Sequence, residues 1–243
     1  MSGVKGFRQS SKIISTGNEE LDRRIGEGIP KPSFIVIEGE NGSGKTTLLT
    51  QLAYGACSSG LNCAILTTEE TPKKFLAWAK NISIDLSNFF LKGKLVIYSL
   101  PRLLSAFTKE NATKIVNNII SFIRLKGVYY DFIGLDALSF LSFKSERDIV
   151  DLFLTIKKVN SVAGNVIAIT LHNNSLEEET KKYLISLSDL YYTLSLGEVA
   201  GRSVRILRIL KSKGSPVVPE SAVAFEVDPA FGIKIVPVAV AKV

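Results

Sequence analysis

Two cysteines in 243 residues, Cys57 and Cys63, are too few for a disulfide framework, and their spacing does not suit a metal site. Buried free thiols in a reducing compartment are the expectation. A secretory signal is not expected either, because the opening MSGVKGFRQSSKIIS has no apolar run before a cleavage site. The most apolar internal stretch, VYYDFIGLDALSFLSF, carries Asp131 and Asp136 and makes a poor membrane span. Repeats, low-complexity tracts and linkers are absent. Charge of one sign is only mildly in excess, with 30 Lys+Arg against 23 Asp+Glu and a net +7. That excess suits nucleic acid, an acidic partner or a lipid surface, and singles out none of them. A soluble cytoplasmic protein is expected.

What is present is enough apolar material for one large core, 46% of the chain. Short β-rich runs alternate with amphipathic helical ones. FIVIEG (34–39), NCAILTTE (62–69), KLVIYSL (94–100), YDFIGLDAL (130–138) and NVIAITLH (165–172) read as strands. They are apolar on both faces, as strands covered by helices on each side must be. In ERDIVDLFLTIKKVNSVAG, Ile149, Leu152, Phe153, Ile156 and Val159 form one helical stripe. In KENATKIVNNIISFIRLKG, Val116, Ile119, Ile120 and Ile123 do the same, with Gly127 at the expected stop. This alternation predicts an α/β fold with a mostly parallel twisted sheet and right-handed crossovers. In the last third, DLYYTLSLG, VRILRILKSKG, AVAFEVD and GIKIVPVAV predict antiparallel hairpins that extend one edge of the sheet. Residues 1–15 are polar and expected to be loosely held, leaving 16–243 as a single domain.

The chemistry centres on EGENGSGKTTLL. Gly39-Glu-Asn41-Gly42-Ser43-Gly44-Lys45-Thr46, followed by Thr47, fits the phosphate-loop pattern GxxxxGK followed by Ser or Thr, between a strand and a helix. Glycines let the backbone curl so that its N–H groups converge on phosphate oxygens, and the helix N-terminus adds the positive end of a dipole. Lys45 is placed to reach the β- and γ-phosphates, and the Thr46 hydroxyl to ligate Mg²⁺. The partner acid should end a neighbouring strand, as Asp136 does after FIGL, whereas Asp131 opens the same strand at the wrong end. Gly134 inside that strand either weakens its packing or permits a close backbone approach. Glu69 and Glu70 end another strand, where a carboxylate can activate water, with Glu69 preferred; the alternative is a role at the start of the helix near Pro72. His172, the only histidine, ends NVIAITLH and is either a γ-phosphate sensor or structural. Lys211 and Lys213 share one side of a strand and are either solvated or reach a neighbouring subunit's nucleotide.

STGNEELDRRIGEGIPKPSFIVIEG with the loop resembles the opening of RecA/KaiC-type ATPases, and AVAFEVDPAFGIKIVPVAVAKV, with TTEET, ITLH and SLSDLYYTL, resembles the archaeal FlaH family of the archaellum motor. The resemblance covers about residues 13–243 and implies a RecA-like core, ATP and Mg²⁺ at the loop, and a ring-shaped, hexameric homo-oligomer. It further implies docking to the archaellum motor ATPase and its membrane-linked scaffold at the motor base. Position by position, Gly39 to Thr46 match the nucleotide loop, Asp136 the Mg²⁺ aspartate and Glu69 the strand-end glutamate. Lys211 and Lys213 match paired basic positions that act across subunits, Lys213 being the better placed. Where the family usually has Asp-Ser, this chain has Asp136-Ala137, losing a hydroxyl that would orient the aspartate; Lys31-Pro32 is a second departure. Both count against rapid turnover. The expected function is therefore a nucleotide-dependent assembly subunit with slow or absent hydrolysis. A DNA recombinase is the alternative, but the segments where its DNA loops belong, SFLSFKSERD and HNNSLEEETKKY, are short in one case and acidic at Glu177, Glu178 and Glu179 in the other. A small-molecule kinase would need an arginine-rich lid, which is not seen.

Overall fold

The computed structural model describes residues 13–100, 109–138, 146–199 and 201–237. Residues 139–145 of SFLSFKSERD and the tail beyond 237 lie outside them. The described strands are β1 (Ile13–Ile14), β2 (Ile29–Pro30), β3 (Ser33–Gly39), β4 (Cys63–Thr67), β5 (Leu95–Ser99), β6 (Phe132–Asp136), β7 (Val166–His172), β8 (Leu190–Val199), β9 (Arg202–Ser212), β10 (Ala222–Asp228) and β11 (Gly232–Val236). The helices are α1 (Glu19–Ile25), α2 (Lys45–Ser58), α3 (Pro72–Asn81), α4 (Ser87–Leu91), α5 (Lys109–Lys126), α6 (Glu146–Ala163) and α7 (Glu178–Leu187).

Nine strands form one sheet in the order β11-β10-β9-β8-β3-β7-β6-β4-β5. From β8 to β5 all neighbours run parallel, and from β8 outward to β11 the pairing is antiparallel. The predicted α/β architecture with its C-terminal hairpins is the one observed. Ile13–Ile14, inside the stretch expected to be loosely held, pairs with Ile29–Pro30, and Ile14 is buried.

Alternation along β3 explains its unbroken apolar sequence. Ile35 and Ile37 join the core under α1, α2 and α3, while Phe34 and Val36 join the core under α5, α6 and α7. Cys57 and Cys63 are buried free thiols in the first of these cores. Gly134 resolves in favour of close approach. It lies in β6, bonded on both sides to β4 and β7, and a Cβ there would come 3.3 Å from Leu49 of α2. The glycine brings the helix behind the phosphate loop down onto the sheet.

The acidic segment after β7, where a recombinase would carry a DNA loop, enters a helix. Glu178 opens α7, with Glu178 and Glu179 in its first turn, where the helix dipole favours carboxylates. Among the described residues, no helix is long and apolar enough to cross a membrane.

Candidate nucleotide site

A parallel sheet gathers the C-terminal ends of its strands at one edge, and that is where the cleft lies. Asn41, Gly42, Gly44, Lys45, Thr46, Thr47, Glu69 and His172 line a cleft of about 290 Å³ together with Trp78, Ala137, Thr170 and Arg205. Asp136 and Thr46 line an adjoining hollow together with Glu69, Glu70 and Trp78. Of the residues selected from sequence, Gly39 and Ser43 build the loop from behind. Lys45 Nζ donates to the carbonyls of Gly39 and Glu40 at 2.9 and 2.7 Å. The buried Ser43 hydroxyl donates to the Glu40 carbonyl at 2.8 Å, so it braces the loop and does not face the cleft. Gly42 and Gly44 adopt left-handed conformations with φ of 76° and 96°, which turn successive N–H groups toward the cleft.

The floor of the loop is anchored from the sheet. Glu38, buried one residue before Gly39, accepts from Lys181 Nζ of α7 at 2.7 Å and from the Tyr191 hydroxyl of β8 at 2.8 Å. Burial makes such a carboxylate dependent on both partners.

Asp136 is the best-defined member of the site. Its Oδ1 accepts from Thr46 Oγ1 and from Thr170 Oγ1, each at 3.0 Å. Thr170 Oγ1 also accepts from the Ala137 N–H at 2.7 Å, and the Thr68 hydroxyl holds the Ala137 carbonyl at 2.7 Å. The orienting hydroxyl missing at Ala137 is thus supplied by Thr170 from β7. Ala137 itself has φ of 61°, a left-handed conformation that a residue with a Cβ adopts at a cost of about 1–2 kcal/mol. Burial pushes the Asp136 carboxyl up to about 6, against the two threonine hydrogen bonds and the Lys45 charge, and the Glu69 charge adds to the rise. The same burial lowers Lys45, opposed by Asp136, Glu69 and Glu40. A cation between these carboxylates and a phosphate beside Lys45 would relieve both.

Glu69 is exposed and lines the cleft, while Glu70, just before the helix, lies 4.0 Å from Lys74, and Thr71 caps α3. Both glutamates line the hollow that contains Asp136, and of the two only Glu69 also lines the cleft. His172 Nδ1 lies 2.6 Å from the Asn173 carbonyl, leaving the other ring nitrogen for the cleft. Asp131 is at the far end of β6, paired with Lys31 at 2.6 Å.

Lys211 and Lys213 do not line the cleft. Lys211 is level with Tyr191, and the Lys213 N–H donates to the Asp189 carbonyl, which places both toward the opposite end of the sheet. Lys211 Nζ caps α7 by donating to the carbonyls of Ile185 and Ser186, each at 2.8 Å.

Residues 14–240 match the model of the KaiC ATPase family. The archaeal flagellar ATP-binding protein FlaH of Sulfolobus acidocaldarius is 39% identical over 231 residues, covering 95% of this chain and 99% of that one. The chain belongs to the FlaH family of KaiC-type ATPases. A FlaH of Methanocaldococcus jannaschii is 25% identical over 91% of this chain. The crystal structure of FlaH from that organism superposes with a TM-score of 0.82 at 23% identity, covering 93% of this chain and 99% of that one. The circadian clock protein KaiC3 of Synechocystis is 27% identical, and this FlaH-family chain spans 42% of its length. The family's fold accounts for the central β3 with its phosphate loop and for Asp136 two strands away.

Three cleft residues were missed from sequence. Thr170 is a lone hydroxyl within an apolar strand, which is a weak signal. Trp78 projects from α3, and Arg205 sits in a β-rich run with basic residues at every third position, Arg202, Arg205, Arg208 and Lys211, a spacing that assigns them to no single face of a strand.

Proposed function

We propose that the chain is an ATP-binding component of the archaellum motor whose nucleotide state controls its assembly. The observation that carries this is the hydrogen bond between Thr46 and Asp136, 3.0 Å long, beside Lys45 in a phosphate loop. It joins the two side chains that would hold Mg²⁺. Mg²⁺ would neutralise charge on the phosphate oxygens when bound. Lys45 would exchange the loop carbonyls it now holds for phosphate oxygens. Glu69, at the open side, is placed to take a proton from a water attacking the terminal phosphate, and slow hydrolysis would follow. His172 would report the terminal phosphate to the β7 edge.

Lys211 and Lys213 lie at the end of the sheet away from their own cleft, so a phosphate they touched would belong to another copy. In this reading the copies close into a hexameric ring with nucleotide between neighbours. The archaeal flagellar names of the relatives support a place among archaellum components; docking to the motor ATPase and its membrane-linked scaffold, on the cytoplasmic side and without nucleic acid, is part of the proposal. Light scattering with and without Mg²⁺-ATP, joined to a binding assay with the motor ATPase, tests this. ATP should raise the mass and the affinity, and Lys45→Ala should abolish both effects. Unchanged mass and unchanged affinity with ATP would refute it.

A further inference from the structure

We propose that the groove between the C-terminal ends of α5 and α6 receives the acidic start of α7 from a second copy of this chain. The contact rests on the ring reading above and goes beyond it in naming two faces that meet.

Both helices end where the strands they feed begin. Helix α5 passes through the turn Gly127–Tyr129 into β6, and α6 stops at Ala163, just before β7. Their C-terminal ends therefore lie at the edge of the sheet away from the cleft. Between them is a groove of about 310 Å³ lined by Val128, Val159 and Val162. Val128 and Val162 are 58% and 77% exposed. Covering such an open apolar groove is favourable for whatever apolar group fills it.

Arg124 and Lys158 line the same groove, and neither forms an ion pair among the described residues. Arg124 donates to the Thr155 hydroxyl at 3.4 Å, which leaves most of its five N–H donors unused. An apolar floor with two unneutralised cations is complementary to an apolar group flanked by carboxylates. A flat anionic lipid surface would meet the cations and leave the concave floor uncovered, so the groove favours a protein segment.

The chain carries that combination at the other end of the same helical layer. Helices α5, α6 and α7 share one core, and α7 starts shortly after His172 ends β7 beside the cleft. Glu177, Glu178 and Glu179 are exposed there and form no ion pair among the described residues. Tyr183, one turn beyond Glu179 on the same face of α7, is exposed as well. Groove and acidic turn lie at opposite ends of the layer and cannot meet within one molecule. They meet when copies stack head to tail, the placement in which Lys211 and Lys213 of one copy face the cleft of the next. A head-to-tail contact of this kind closes into a ring when its rotation permits.

Light scattering with Mg²⁺-ATP on two charge-reversed variants tests the contact. Arg124→Glu with Lys158→Glu makes the groove acidic, and Glu178→Lys with Glu179→Lys makes the turn basic. Each variant alone should raise the concentration for half-assembly about a hundredfold or more, because like charges then face each other. An equimolar mixture should assemble as wild type does, since each reversed groove finds a reversed turn when the copies alternate. Circular dichroism should show both variants folded, and Mg²⁺-ATP affinity measured below the assembly concentration should stay within twofold of wild type. If a reversed variant does not fold, Val162→Asp, at an exposed position, must still block assembly. Assembly of either variant alone at wild-type concentrations would overturn the contact, as would a mixture that stays monomeric. A groove-reversed variant that assembles normally and loses the motor ATPase, or loses vesicles of anionic phospholipid that wild type binds, would assign the groove to that partner and overturn it too. Wild type that gained no mass with Mg²⁺-ATP would remove the proposed assembly function as well, whereas wild-type assembly that both variants share would remove this inference alone.

Discussion

Replacing Asp136 by asparagine should make the nucleotide-free protein more stable at neutral pH and leave it unimproved in acid. In the folded chain burial moves this carboxyl from an ordinary 3.8 to about 6. The difference corresponds to about 3 kcal/mol against the ionised form. Because the folded value is the higher one, the unfolded chain loses its proton first as pH rises. Stability from this group is undiminished below 3.8, falls between 3.8 and about 6, and carries the full penalty above that window. Asparagine offers an oxygen to Thr46 and Thr170 and cannot ionise. Its advantage should grow from near zero at pH 4 to as much as about 3 kcal/mol at pH 7–8, or about 6–12 °C in melting temperature for a chain of this size. Thermal melts followed by circular dichroism in a chelator, from pH 4 to 8, measure this directly. Adding Mg²⁺-ATP at pH 7.5 should raise the wild-type midpoint more than the variant's, because only the carboxylate can pair with the cation. A difference that is the same at pH 4.5 and pH 8, or a wild type that is the more stable at pH 8 without nucleotide, would refute the reasoning.

Glu69→Gln should slow single-turnover ATP hydrolysis about a hundredfold or more and leave ATP affinity near wild type; equal rates would dismiss Glu69 as the base. Thr170→Val removes the hydroxyl that orients Asp136 and receives the Ala137 N–H. It should lower unfolding free energy by about 1–3 kcal/mol in urea titrations, with Thr170→Ser recovering most of it.

The phosphate loop was legible because its residues are contiguous and its context, a strand then a helix, can be read locally. Asp136, Glu69 and His172 followed from one further rule, that parallel strands bring their C-terminal ends to the same edge. Thr170 fails that rule, since it sits two residues before the end of β7 and matters only because β6 lies alongside. Arg205 depends on β9 returning antiparallel next to β8, and no residue near it in sequence announces that neighbour. Helix α7 was hidden for another reason. Its glutamates were weighed for their charge toward phosphate, while their position in a first helical turn carried the structural information. Gly134 looked like a defect until the Leu49 side chain was placed over it.

Trp78 is the chain's one tryptophan, and it stands edge-on to Phe75 at 5.7 Å in the wall shared by the cleft and the hollow above Asp136. Indole emission from this protein therefore originates at a single spot, next to Glu69 and Thr46. The molecule carries its own optical gauge of the site, and no dye or label is needed to watch that wall respond.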